Sequence, residues 1–124
     1  VIETELAAWL EDGELGIGDR VFPLTLPQGA TLPAIVYQRV SPRSTSTHDG
    51  AGGVVSPRFQ FKCWASTYAA ACALRVALKA LLVGNAHGTI SSVHEAGTEM
   101  DDRDEVTGGW VALVDLFITH VEEA

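Results

Sequence analysis

Positive charge is what this chain most lacks: eight Lys and Arg stand against 16 Asp and Glu, a formal charge of −8. That balance argues against a surface that grips nucleic acid, because phosphate binding needs a net basic patch. Long apolar runs are missing as well. No window of about 18 or more uninterrupted apolar residues exists, which argues against a membrane-spanning helix. The sequence starts Val1-Ile2-Glu3-Thr4-Glu5, without the basic-then-apolar order of a secretory signal, so synthesis in the cytoplasm is expected. Cysteine is scarce, and Cys63 and Cys72 have neither CxxC spacing nor a neighbouring His. Such spacing argues against a metal or dithiol redox motif, and both thiols are expected to stay reduced in or near the core.

Catalytic patterns are equally thin. His48 precedes Asp49 and His94 precedes Glu95, but neighbours on an extended chain point to opposite faces, so neither pair makes a dyad on a strand. Nothing supplies a third metal ligand either, and surface histidines are the expected reading. Cys63 and Cys72 lie within apolar patterns without a local base or oxyanion turn. Glu99, Asp101, Asp102, Asp104 and Glu105 lack the alternation and central Gly of an EF-hand loop, which leaves a solvated acidic turn. Gly50, Gly52 and Gly53 are not followed by Lys-Ser/Thr, so they form no phosphate cradle. The expectation is a protein with no catalytic residues, no metal and no cofactor.

What is present is a strand followed by a helix. In residues 58–64, Phe59, Phe61 and Cys63 share one parity while Arg58, Gln60, Lys62 and Trp64 share the other, the period of a strand. From residue 66 to 82 the sequence is rich in Ala and Leu, with Ala71, Leu74, Leu78, Leu81 and Leu82 spaced by three and four, the stripe of an amphipathic helix. Ser66 or Thr67 suits its N-cap, and Gly84 stands where a left-handed residue closes a helix. The chain of 124 residues is expected to form one domain that buries a core without disulfide staples.

Around that unit the remaining elements fall in order. Leu6, Trp9 and Leu10 give a first helix over residues 2–11, with Glu3 and Glu5 at its positive end. An edge strand begins near Arg20 and Val21, confined by Pro23 and Pro27. A second strand covers residues 34–40. Residues 43–57 then read as a long flexible loop, Gly-rich and polar; a connection of that length in a compact domain is usually functional or disordered. A weaker strand at 89–95 leads through the acidic turn to a last strand at 110–121. There Trp110, Ala112, Val114, Leu116 and Ile118 line one face, and Val111, Leu113 and Phe117 the other, with Asp115 among them. A strand apolar on both sides is buried on both sides. Two helices can cover only one face of the sheet, so a second subunit is expected on the other. The predicted class is α+β, a mainly antiparallel sheet of four to five strands packed with two helices, in the order α-β-β-β-α-β-β.

Charge is segregated along the chain. Residues 1–19 carry six acids and no base, residues 95–123 carry nine acids and only Arg103, and Arg20, Arg39, Arg43, Arg58 and Lys62 lie between them with Asp49 alone. Opposite patches of this kind suit contact between copies; a mixed solvated surface after folding is the alternative.

The stretch from Val21 to Leu82 resembles the phage tail-completion family of tail-terminator-like proteins. The resemblance is carried by Val21-Phe22-Pro23, Pro27-Gln28-Gly29, Leu32-Pro33-Ala34-Ile35-Val36-Tyr37-Gln38-Arg39-Val40-Ser41, the Gly-rich loop with His48 and Gly50, and Arg58-Phe59-Gln60-Phe61-Lys62-Cys63-Trp64-Ala65 followed by Thr67-Tyr68-Ala69. Lys62 departs from it, standing where an acid or small polar residue is expected. The resemblance implies a non-enzymatic virion protein that forms a ring, usually a hexamer, at the head-proximal end of the tail of a phage or gene-transfer particle. Such a ring ends the tail tube and joins it to the head connector, and DNA crosses its lumen without specific binding. The expected partners are other copies of the chain, the tube protein and the connector. The loop Arg43, Ser44, Thr45, Ser46, Thr47, His48, Asp49 and Gly50 is expected to meet a partner protein. Arg39, Arg58, Gln60, Lys62, Trp64, Val111, Leu113 and Phe117 are the expected subunit contacts, and the acidic turn at 99–105 is expected to face the lumen or a neighbouring ring. Two rival readings stand beside this one: another ring-forming connector or tube component, and a small ligand-binding α+β domain.

Overall fold

The chain runs α1 (Ile2–Asp12), β1 (Val21–Pro23), β2 (Ala34–Arg39), β3 (Val54–Val55), β4 (Arg58–Ala65), α2 (Tyr68–Leu82), β5 (Ile90–Arg103) and β6 (Trp110–Val121). The structure is a computed structural model and describes residues 2–40, 54–104 and 108–121. Two helices and one mixed, mostly antiparallel sheet of six strands make it α+β. The strand beyond the expected four to five is β3, whose two residues are too short to show any periodicity.

β1 pairs in parallel with β2, β2 is antiparallel to β4, and β4 is antiparallel to β6. β5 takes the opposite side of β6. β3 prolongs the line of β4, placing Val54 and Val55 against Val121 and His120 at the end of β6.

The alternation of β4 decides where the core lies. Phe59, Phe61, Cys63 and Ala65 turn inward, and in the antiparallel register they stand beside Leu116, Val114, Ala112 and Trp110 of β6. Both helices pack on that face: α1 through Ile2, Leu6, Trp9 and Leu10, and α2 through Ala71, Leu74, Leu78 and Leu82. Phe59 and Phe61 are wholly buried, and burial of side chains of this size contributes about 1.5–3 kcal/mol each. Cys63 is buried among them, and burial pushes its thiol up to about 12, partly offset by the charge of Arg75. It is an inert core side chain at neutral pH. Cys72 is half-buried, and both cysteines are free.

The helices are fastened at their ends. Thr67 is the N-cap of α2, its hydroxyl accepting from the Ala70 N–H at 3.2 Å. Gly84 follows the helix at φ +79°, and its N–H donates to the Val93 carbonyl, so one left-handed residue both stops α2 and starts the return to the sheet. In α1, Glu5 accepts from the Thr89 backbone N–H at 2.8 Å and from its hydroxyl at 2.5 Å. Burial pushes the Glu5 carboxyl up, but these bonds and His87 outweigh it and hold it below the ordinary carboxylate value. Gly88, at φ +56°, permits this approach, since a Cβ there would run into the Glu5 carboxylate.

The acidic stretch is the main correction to the sequence reading. β5 does not end near Glu95; it continues to Arg103, so Glu99, Asp101 and Asp102 are strand residues and not part of a turn. Asp104 follows the strand, and Glu105 lies outside the described residues. Two register shifts, between Ile90 and Ser92 and between Glu95 and Glu99, interrupt the alternation that would have revealed this strand, and Gly97 sits in the second at φ +87°. Acids are poor strand formers, but here tertiary contacts override propensity. Arg75 Nη1 lies 2.7 Å from Asp101 Oδ1, and Lys79 Nζ lies 2.6 Å from Glu99 and 2.9 Å from Glu95. Tyr68 donates to Asp101 at 2.6 Å, which pushes its own hydroxyl up to about 12. Lys79 holds Glu99 below the ordinary carboxylate value, and Tyr68 and Arg75 do the same for Asp101.

Candidate functional site

With both helices on one side, the sheet keeps a second face with no helix on it. The register brings Arg58, Gln60, Lys62 and Trp64 of β4 beside Phe117, Asp115, Leu113 and Val111 of β6. β5 adds His94, Met100 and Asp102, which pair with Phe117, Leu113 and Val111, and β2 adds Ala34 and Val36, which pair with Trp64 and Lys62. Seven of the eight residues expected at a subunit contact therefore share one surface. Arg39 does not. It pairs with Phe59 on the helix side, where it lies over the Phe59 ring and 3.7 Å from Glu3 of α1.

The open face is a mosaic of apolar and polar groups. Val36 and Val111 are buried, Leu113 and Phe117 half-buried, and Met100 is 57% exposed. Asp115 is nearly inaccessible, 3.5 Å from the Arg58 guanidinium, while its Oδ1 has no hydrogen-bond partner. The connection from β1 to β2 folds over one end of the face. Leu24, at φ +69° and 62% exposed, stands there with Leu26, Pro27 and Leu32 around a hollow of about 410 Å³ whose floor includes Val36, Lys62 and Trp64. A second hollow of about 590 Å³ shares Lys62 and Trp64 and continues over Met100, Asp102, Val111 and Leu113.

Among the described residues, both sheet edges are built to resist strand addition. β1 has three residues and ends in Pro23, and β5 is bulged twice and lined with acids. These are the usual devices that blunt a sheet edge.

Of the other expected contacts, Arg43 through Gly50 lie outside the described residues, as does Glu105. Glu99 and Asp101 face α2 and are held by its cations, whereas Asp102 reaches the open face and Asp104 lines the first hollow. His94 is exposed on the open face beside Phe117, and its neighbour Glu95 turns to Lys79 on the other, so the two do not act together. Sequence reading passed over Val36, Met100 and the β1–β2 connection as parts of this surface. Their signal was the parity of Val36 with Gln38 and the two leucines, Leu24 and Leu26, ahead of Pro27.

Among the described residues, no group of three or more His, Cys, Asp or Glu is placed to hold a metal ion. A family model described as Tail completion protein gp17 matches residues 5–116. Among solved structures, a chain of the "Virion of native gene transfer agent (GTA) particle" aligns with a TM-score of 0.55 at 19% identity, over 93% of this chain and 84% of that one. This likeness is one of fold. No curated protein matches. Because the family model takes in both helices and the sheet through most of β6, the chain belongs to the Tail completion protein gp17 family and is a structural protein of a phage-type virion.

Proposed function

We propose that the chain, folded as a single domain, assembles into a hexameric ring at the head-proximal end of a phage-like tail. The ring caps the tail tube, joins it to the head connector, and leaves a lumen for DNA. The observation that carries this reading is the open sheet face, where Val111, Leu113 and Phe117 give β6 a second apolar side that, among the described residues, no helix covers. The blunted edges add to it, because association by strand addition would extend the sheet without closing it. The formal charge of −8 suits a channel that DNA crosses without sticking, since like charges repel. The segment Arg43 to Gly50 is the partner-facing loop in this reading, meeting the tube protein or the connector.

The test is light scattering with negative-stain imaging of the purified chain, alone and mixed with its tail-tube protein. Six-subunit rings, free or seated on tube ends, are the expected result. A chain that stays monomeric in both conditions, with tubes of unrestricted length, would overturn the proposal.

A further inference from the structure

We infer that the groove around Lys62 and Trp64 receives the acidic connection 11–19 of a second copy of this chain, with Lys62 as the counter-charge. The inference rests on the ring reading above and names the contact through which the ring closes.

Lys62 is set apart from the other cations. Among the described residues Arg39, Arg58, Arg75 and Lys79 form ion pairs. Arg20 donates to the carbonyls of Pro33 and Gly16, and Arg103 lies over the Trp110 ring. Lys62 is half-buried between two hollows and, among the described residues, has no carboxylate partner. Beside it the Trp64 Nε1 is buried and donates to nothing. A partly desolvated ammonium calls for an acceptor, and a carboxylate gives the stronger, charge-assisted bond.

Among the described residues outside the groove, the acids without an ion pair point to the occupant. Glu3 pairs with Arg39, Glu5 holds Thr89, Glu95, Glu99 and Asp101 are bound to α2, and Asp115 faces Arg58. Glu11, Asp12, Glu14 and Asp19 are exposed, form no ion pair, and share one connection that contains no base. That connection is rigidly presented: Ile17 is wholly buried, and Arg20 clamps it at Gly16 and Pro33, with bonds of 3.2 and 2.8 Å. A pre-ordered loop loses little freedom on binding. Groove and loop are different patches, so their contact is heterologous and builds a ring when the rotation closes. Asp102 and Asp104 line the groove together with Arg103 and oppose an acidic occupant, which moderates the strength of the contact, and Asp102 gives it a handle.

The experiment measures assembly of charge-reversed chains and maps the contact by carbodiimide coupling of ammonium to carboxylate in a mixture of isotopically light and heavy chains. Lys62→Glu, or Glu11→Lys with Glu14→Lys, is expected to weaken ring formation by about tenfold or more, and combining them to restore it substantially. Asp102→Asn is expected to tighten it. Coupling should join Lys62 to a carboxylate of residues 11–19, between light and heavy chains. Thermal melts confirm folding, and Lys62→Gln replaces Lys62→Glu if the reversal does not fold. Rings from Lys62→Glu or Lys62→Gln that match the wild type, or coupling of Lys62 to another carboxylate, would overturn this contact and leave the ring reading standing. A wild-type chain that never forms rings, even with tube protein, would overturn both.

Discussion

The two faces of the sheet are built from the same strands by the same alternation, yet they carry different chemistry. On the helix side Phe59, Phe61, Leu116 and Ile118 are wholly buried beneath α1 and α2. On the open side Lys62, Trp64, Leu113 and Phe117 are half-buried, and a carboxylate, Asp115, sits among them. The first face holds the chain folded. The second keeps apolar area that, in the proposed ring, meets another copy of the chain. A sheet with no partner would place polar side chains on an uncovered face, and the half-apolar open side is what the proposed ring rests on.

Mutations on the two faces should separate stability from assembly. Phe61→Ala removes a fully buried ring and is expected to cost about 3–5 kcal/mol, measured by chemical denaturation. Leu113→Asp and Phe117→Asp, on the open face, should cost only about 1–2 kcal/mol while abolishing rings. If an open-face substitution instead unfolds the chain as Phe61→Ala does, the division fails. Removing residues 45–52 should leave the melting curve unchanged and block joining of tails to heads. Normal particles from that deletion would remove the loop from the account.

A smaller effect comes from the clasp between α2 and β5, which belongs to neither face but fixes the edge that frames the groove. Lys79→Ala should cost about 0.5–1 kcal/mol, because its ion pairs are largely solvent-accessible. The depressed carboxyls of Glu99 and Asp101 give a pH signature. Their stabilisation is complete above their ordinary values near pH 4, roughly, and is lost as pH falls through the lower folded values. Lys79 is raised by Glu99 and Glu95, so its contribution is complete below about pH 10 and is lost as pH rises further. Melting temperature against pH should therefore fall at both ends, and Lys79→Ala should flatten both slopes. An unchanged profile would show that the clasp adds nothing to stability.

How much of this was legible in the sequence depended on regularity. β4, α2 and β6 could be read because their apolar residues keep one period throughout: Phe59, Phe61 and Cys63 at two, and Leu74, Leu78 and Leu82 at helical spacing. The doubly apolar β6 and the polar parity of β4 were each legible, while the register that brings them onto one face comes from tertiary pairing. β5 was cut short because its two bulges break the period, and because its acids look solvated until Arg75 and Lys79, some 20 residues earlier in the chain, are brought opposite them. Arg39, expected at a subunit contact like Lys62 and Trp64, stands apart from them because its register with Phe59 turns it to α1. Such errors come from tertiary pairing, which no local pattern encodes.

The central claim is that the helix-free face is where copies of the chain meet, and hydroxyl-radical footprinting of assembled rings against unassembled chain tests it most directly. Trp64, Met100 and Phe117 should become protected on assembly, while Val76 and Tyr68, exposed on α2 on the other side of the molecule, should keep their reactivity. Protection of Val76 and Tyr68 with Trp64 and Met100 unchanged would contradict it.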